Sequence, residues 1–520
     1  MNNVPWLTAL EVLPLVGSLI VVLLPSARAA LAKQVTLVVA LATLVLFAFM
    51  ALQFSTADAG ALQFVQSVPW IPAFGISYSV GIDGIALVLI GLAVVLTPVV
   101  VIAGWRDVED DAENVTGSVK GYFALILVLE AFTVGVFAAT DLFLFYVLFE
   151  LVLIPIYFMI GRYGGPQRGY AAIKFLLYSL VGGLFMLVAL IALYVVSANA
   201  TGQGTFDFVK LVQLDIDPTT QKWLFLGLFL AFAVKAPMWP FHTWLPDAAG
   251  QAKVGTSVLL IGVLDKLGTF GMIRYCLPLF PDASTFFAPF IVVLALIGVF
   301  YGAFVALGQN DMRRLFAYSS MSHFGFIILG IFVFTSIGQS GSMVYMVAHG
   351  LSTAGMFLAA GYLMRRHGGS SLISDYEGVN KKAPILAGFF LFASLASLAL
   401  PGLISFIGEF LVLLGSFQRN VLVGVIGTLG IVITAAYVLR VYQRSMTGPL
   451  KPGLEGLTDL NAREIVALVP VLVLTLFLGL YPAPILNVVN PAVDTVMQLV
   501  GAENPAPTLS TNAAAEGGQQ

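Results

Sequence analysis

The chain has 520 residues, of which 59% are hydrophobic and 10% charged, and its formal net charge is −3. Ordinary soluble domains are roughly 45–50% apolar and about 25% charged, so this composition argues against a cytosolic enzyme, a secreted disulfide scaffold, a nucleic-acid binder and a disordered chain. The one cysteine, Cys276, permits neither an internal disulfide nor a cysteine-ligated iron–sulfur or zinc site.

A transmembrane helix needs roughly 20 mostly apolar residues. On that criterion fourteen spans are expected, near 6–25, 34–54, 83–104, 120–139, 142–161, 168–197, 221–247, 253–277, 284–308, 311–336, 340–365, 383–414, 418–446 and 463–482. The fold class is therefore an all-α polytopic membrane protein. The first span has no positive flank before it and no small-residue cleavage pattern after it, and reads as a retained helix. Residues Phe64–Asp83 alternate apolar and turn residues and read as an ordered loop with a short hairpin. Asp107–Glu113 is acidic and reads as a solvated loop, and the tail after Gly501 reads as disordered.

Two spans carry helix breakers, the seventh at Pro237 and Pro240 and the twelfth at Pro401–Gly402. Proline removes a backbone donor and clashes with the preceding turn, and inside a membrane the freed groups must find protein or water partners. Spans four to eight and nine to thirteen each form a set of five with the break in fourth place. Five is odd, so the second set enters from the opposite side, which suggests inverted repeats. The corresponding division is 1–119 with three helices, 120–277 and 284–446 as the repeats, and 447–520 with the last helix and tail. Loops after odd-numbered spans hold 17 basic residues against four on the other side. The positive-inside rule then places both termini outside.

Charges inside the spans are costly, about 2.5–3.5 kcal/mol each on insertion scales, and usually mark an ion path. Glu150 lies near the middle of span five, Lys235 in span seven just before Pro237, and Lys266 at the centre of span eight next to Asp265. His323 is central in span ten, His349 lies in span eleven, and Glu409 follows the break in span twelve. Each also has a structural reading. Glu150 can serve as an ion-pair partner of a lysine, Lys235 can satisfy freed carbonyls, and Lys266 and Asp265 can neutralise each other. The two histidines can be satisfied interior groups, and Glu130 in span four a packing-level hydrogen bonder. Glu11 reads as interfacial and Lys174 as a snorkelling residue. The set is more informative than its members, because carboxylate, lysines, histidines and carboxylate fall on spans five to twelve. Burial and pairing shift proton affinity in opposite senses, so a buried lysine whose partner swings away can load and release a proton.

Several segments resemble the antiporter-like membrane chains of respiratory complex I. They are GISYSVGIDGIAL (75–87), FELVLIPIYFMIGRYG (149–164), KAPMWPFHTWLPDA (235–248), RRLFAYSSMSHFGF (313–326), VAHGLSTAGMFLAAGYL (347–363) and PGLISFIGEFL (401–411). LIPIYFMIGRYG after the glutamate is most similar to the chain M type, the counterpart of mitochondrial chain 4. The chain L type carries a long lateral helix for which this chain ends too early. The resemblance implies that Glu150 pairs with Lys235, that Lys266, His323 and His349 lie on a polar axis between an inward half-channel in 120–277 and an outward one in 284–446, and that Glu409 is the terminal acidic group. It further implies proton translocation coupled to electron transfer from NADH to quinone. FMN, iron–sulfur clusters, NADH and quinone would then sit in partner subunits and no cofactor on this chain. The implied partners are homologous antiporter-like chains, small membrane chains and the lipid bilayer, with no nucleic acid, in a bacterial plasma membrane. A multisubunit sodium/proton antiporter chain or an energy-converting hydrogenase membrane subunit would share most of these motifs. The resemblance fails at AGQAKVGTS (249–257), where the family has a histidine, an acidic residue and an Ala-Pro-Thr run, and Lys253 is extra.

Overall fold

A computed structural model describes residues 4–25, 28–109 and 115–505. The chain opens with α1 (Trp6–Leu23) and α2 (Ala29–Ala51), followed by an antiparallel hairpin of β1 (Gln63–Ile71) and β2 (Ile76–Ile82). Helices α3 (Gly84–Ala103), α4 (Val119–Ala138), α5 (Leu142–Leu151), α6 (Leu153–Tyr163), α7 (Arg168–Thr201) and the one-turn α8 (Phe208–Leu211) come next. Then follow α9 (Pro218–Lys235), α10 (Trp244–Gln251), and an interrupted helix made of α11 (Val254–Leu259), α12 (Lys266–Gly271) and α13 (Leu277–Leu279). The remainder is α14 (Pro281–Gly308), α15 (Met312–Phe332), α16 (Ser336–Arg366), α17 (Pro384–Ser397), α18 (Ile404–Arg419), α19 (Val421–Met446), α20 (Ala462–Leu480) and α21 (Ala483–Val500).

Among the described residues, twelve helices are long and apolar enough to cross a membrane, α5–α6 and α11–α13 each counted as one. The other two expected spans are the interrupted ones, α9–α10 and α17–α18. Short polar residues start many of the apolar runs. Asp83, Ser118, Asp141, Asp217, Asp311, Thr335 and Asn420 each accept a backbone N–H of the helix that follows, satisfying donors that a helix start leaves unpaired. Both breaks are rewired within the protein. After α9, the Trp244 indole donates to Val234 O at 2.9 Å and Met238 N to Ala233 O at 2.9 Å. After α17, Leu400 N reaches Leu395 O and Leu403 N reaches Leu400 O, both at 3.1 Å, while Gly402 sits at φ +95°. That is the accounting a membrane interior demands.

Three features depart from the expectations. Span five breaks at Val152, because Pro155 has no N–H for the Leu151 carbonyl. Span eight contains two π-helical turns, Leu260–Leu264 and Met272–Cys276. Beyond the last expected span lies α21, which buries Ile485, Val489, Ala492, Val493 and Met497 along one side. The tail call falls outside the described residues from 506 onward, but Glu503 O and Asn504 are already held by Arg419 and Ser336. The acidic run is not wholly solvated: Asp107 pairs with Arg365 at 2.9 Å and Glu109 with the buried Lys33 at 2.6 Å. The rest of that run, from 110 onward, lies outside the described residues. Glu11, near the start of α1, is buried within the protein and accepts the Tyr78 hydroxyl at 2.7 Å.

Helix α14 meets α15 through glycines on both sides. A Cβ at Gly302 would lie 2.7 Å from Ser322 N, and one at Gly325 would lie 2.7 Å from Ala295 O, the close backbone approach that small residues permit. Three helices, α7, α10 and α15, are tied by Asp247, which binds Lys174 at 2.7 Å and Arg314 at 2.8 Å. Helices α16 and α20 are joined by the buried pair Arg366–Glu464 at 2.5 Å. Removing one partner of a buried pair costs about 3–5 kcal/mol. Glu464→Ala should therefore lower the thermal stability of the detergent-solubilised protein by several kcal/mol, and a melting temperature equal to wild type would contradict this role.

Candidate functional site

The six sequence-selected groups fall into two arrangements. On the first, Glu150 ends helix α5 with its carboxylate lying over Gly183 of α7, where a Cβ would stand 1.9 Å from Glu150 Oε1. Lys235 is the last residue of α9, at the break, and is 1% exposed. Its ammonium faces the rings of Phe149 at 4.9 Å and Phe175 at 5.7 Å, contacts that favour a cation. Glu150 Oε1 and Lys235 Nζ are both buried without a hydrogen-bond partner. The two groups act on each other electrostatically but do not touch. The reading that Lys235 serves freed carbonyls is corrected: Trp244 does so instead.

The second arrangement is bonded almost throughout. Lys266 Nζ lies 2.6 Å from Ile261 O and 2.7 Å from His349 Nδ1. Asp265 makes no hydrogen bond to it, its two oxygens being buried and unpartnered, but the two charges act on each other electrostatically. The rings of His349 and His323 stand 5.5 Å apart. His323 Nδ1 lies 2.6 Å from the Tyr345 hydroxyl, and that hydroxyl donates to Glu409 Oε2 at 3.0 Å. His323 Nε2 lies 3.2 Å from Ser319 Oγ and 3.3 Å from Ser397 Oγ, and Ser319 continues to Tyr437 at 2.7 Å.

The donors assign the tautomers. A lysine ammonium has only hydrogens to give, so His349 Nδ1 accepts and its proton sits on Nε2, which has no partner. Tyr345 spends its hydrogen on Glu409, so His323 donates from Nδ1 and accepts at Nε2 from a serine. A line of exchangeable hydrogens thus runs from Lys266 to Glu409, with one interruption between the two rings.

Sequence reasoning missed Tyr345, Ser319, Ser397 and Tyr437. A signal existed for two of them. Tyr345 precedes His349 by four residues and Ser319 precedes His323 by four, and such positions are neighbours on a helix face. It also missed His242, buried in the α9–α10 break with both ring nitrogens unpartnered. Glu130 is buried next to Thr97 in the packing of α3 and α4, and its oxygens make no hydrogen bond of ordinary geometry. The divergent segment 249–257 borders a cavity of about 1190 Å³ lined by Asp107, Arg168, Gln251, Lys253, Arg313 and Arg365 among others. Among the described residues, no group of three or more His, Cys, Asp or Glu side chains is placed to hold a metal ion.

Residues 139–434, more than half of the chain, match the family described as NADH:quinone oxidoreductase/Mrp antiporter, transmembrane. The chain belongs to this family. NADH-quinone oxidoreductase subunit M of Mycobacterium tuberculosis is 50% identical to it, covering 98% of this chain and 97% of the relative. NADH-ubiquinone oxidoreductase chain 4 of Marchantia polymorpha is 37% identical over 95% and 97%. Among solved structures, respiratory complex I from Thermus thermophilus with bound NADH contains a chain that superposes with a TM-score of 0.85 at 29% identity, covering 95% of this chain and all of that one. Glu150 and Lys235 lie on separate helices, α5 and α9, each beside an interruption of its own span.

The seat of Glu150 gives a direct test. Gly183→Ala adds a methyl where the carboxylate lies. The obstructing atom ends a flexible side chain, so the cost to stability should be only about 1 kcal/mol, at the low end for overpacking. A cryo-EM map of the variant should show the α5–α7 packing kept and the Glu150 carboxylate turned away from α7. A carboxylate left in place would contradict the geometry.

Proposed function

We propose that the chain is the M-type membrane subunit of a proton-translocating NADH-quinone oxidoreductase and that it carries protons along Glu150, Lys235, Lys266, His349, His323, Tyr345 and Glu409. The observation that carries this reading is the pair of hydrogen-bonded segments, Lys266–His349 and His323–Tyr345–Glu409, whose histidine rings stand 5.5 Å apart inside an apolar bundle. Half of the chain's residues are identical to a subunit M over nearly its full length, which favours this reading over an antiporter or hydrogenase chain.

In this reading FMN, iron–sulfur clusters, NADH and quinone act in partner subunits, and this chain supplies only proton transfer. Redox chemistry there alters the separation of Glu150 and Lys235. When Glu150 swings away, the Lys235 ammonium loses its counter-charge and releases its proton toward Lys266. Lys266 passes a proton to His349, and rotation of a ring or an intervening water closes the step to His323. Tyr345 then relays it to Glu409, taking one hydrogen from His323 Nδ1 as it gives its own to the carboxylate. Exit follows on the outer side. The half 120–277 acts as the inward half-channel and 284–446 as the outward one, related as inverted repeats. The surplus of basic residues in loops after odd-numbered spans supports both termini outside a bacterial plasma membrane. The membrane partners are homologous antiporter-like chains and small membrane chains.

A tagged pull-down of the native membrane complex should bring NADH oxidation, flavin and iron–sulfur signals with the chain. Arrival with small membrane proteins alone would overturn the reading in favour of an antiporter. In the assembled complex, Glu150→Ala and Lys235→Ala should each assemble yet lose most NADH-driven proton translocation, and full translocation in both would refute the pair. Tyr345→Phe keeps the ring and removes the relay hydroxyl. Since positioned proton-transfer groups contribute roughly 10²–10⁴-fold, translocation should fall about 10-fold or more with assembly intact, whereas a wild-type rate would take Tyr345 out of the path.

A further inference from the structure

Between the two arrangements lies a buried acid that the proposed path does not use. Asp265 is 0% exposed, and both of its carboxylate oxygens lack a hydrogen-bond partner. It adjoins Lys266 in sequence, yet the Lys266 ammonium turns to Ile261 O and His349. The backbone explains the divergence. The π turn Leu260–Leu264 ends at Asp265, whose N–H bonds to Leu260 O, five residues back, at 3.1 Å. Such turns are rare and recur at functional positions.

The face on which Asp265 lies is set by the glycines that follow it. A Cβ at Gly268 would stand 2.5 Å from Phe232 O and 2.6 Å from Ala236 N, and one at Gly271 would stand 2.4 Å from the Phe232 ring. The α12 backbone is thus pressed against the last turn of α9, which ends in Lys235. Asp265 lies three residues before Gly268, and residues at that spacing are neighbours on a helix surface. The charged groups that act on Asp265 are Lys266 on its own helix and Lys235 across the contact. A buried carboxylate without hydrogen bonds is expensive to keep, and this one stands where the proposed path has no bonded link.

We propose that Asp265 is a further proton-carrying residue, taking a proton from Lys235 and passing it to Lys266, and so joining the Glu150–Lys235 pair to the bonded line. The inference rests on the proton-path reading above. In the first step an N–H bond of the Lys235 ammonium breaks as an O–H bond forms on Asp265, leaving a neutral amine and a carboxylic acid. In the second, that O–H bond breaks as an N–H bond forms on the neutral Lys266 amine, and the carboxylate is restored. Each transfer runs directly or through one water. No electrons are exchanged and no further reactant is needed.

The test uses the intact membrane complex with Asp265→Asn, Asp265→Glu, Glu150→Ala and Lys235→Ala compared side by side. Proton translocation per NADH oxidised should fall about 10-fold or more in Asp265→Asn, given the usual weight of a proton-transfer group, and should largely return in Asp265→Glu. Redox-induced infrared difference spectra should contain a carboxylic-acid C=O band that is lost in the Asn variant and shifted in the Glu variant, which a merely structural acid would not give. Wild-type translocation by Asp265→Asn, with Glu150→Ala and Lys235→Ala blocked, would overturn the assignment of Asp265 alone. Wild-type translocation by all three would overturn the underlying proton-path reading. If Asp265→Asn does not assemble, Asp265→Glu decides, and a C=O band unmoved from wild type would overturn the assignment.

Discussion

The arrangement depends on one constraint, a lysine ammonium held at the broken end of a helix inside an apolar bundle. Lys235 is the last residue of α9, where the helix dipole presents its negative end and favours a cation. The aromatic faces of Phe149 and Phe175 add to that. A continuous helix would offer neither the terminus nor the room. Pro237 makes the terminus, and the Trp244 indole occupies the Val234 carbonyl that the break frees. The backbone is therefore satisfied without drawing on the lysine, and the ammonium is left to the charges around it. Gly183 completes the arrangement by giving the Glu150 carboxylate a seat that any side chain would fill.

What could be read in the sequence follows from contrast. Against a background with 10% charged residues, a carboxylate or lysine at mid-span stands out, so Glu150, Lys235, Lys266 and Glu409 were legible one by one. Helix ends were legible because Asp, Ser, Thr and Asn before apolar runs have a mechanism as caps. The breaks at Pro237 and Pro401 were legible for the same kind of reason. The neutral relay was only partly so. Ser319 lies one turn before His323 on α15, whereas the crossing of α15, α16, α17 and α19 brings Tyr345 and Ser397 to His323 and Tyr437 to Ser319. The π turns around Lys266 leave no compositional trace, since Leu260–Leu264 reads as an unbroken helical run. The burial of Glu11 was not legible because its partner, Tyr78, comes from a hairpin 67 residues away.

The two halves of the polar axis differ in how their groups are satisfied. From Lys266 to Glu409, hydroxyl and imidazole groups bond one another, and the bonds dictate which nitrogen carries hydrogen. Such a chain is fixed by its neighbours, and each bond polarises the next. From Glu150 to Asp265 the groups are unbonded, with Lys235 Nζ, Glu150 Oε1 and both Asp265 oxygens lacking partners, Lys235 and Asp265 fully buried and Glu150 half-buried. Unbonded charge in a low-dielectric interior costs far more than bonded charge.

That difference assigns different work to the halves. Apart from the gap between the His349 and His323 rings, the line from Lys266 to Glu409 is bonded from member to member, and moving Lys266, His323 or Tyr345 breaks a bond at each side. An unbonded cluster of opposite charges has small geometric changes as its cheapest response, and each change alters which lysine has a counter-charge nearby. On the proposed proton path, control would then belong with Glu150, Lys235 and Asp265, and conduction with Lys266 through Glu409. The boundary falls at the π turn before Lys266, where consecutive residues Asp265 and Lys266 leave the same helix toward different halves. An ordinary α-helical turn would keep the Ile261 carbonyl in its ladder. Here that carbonyl takes the Lys266 ammonium, which holds the first member of the conducting line in place while its neighbour in sequence stays unbonded.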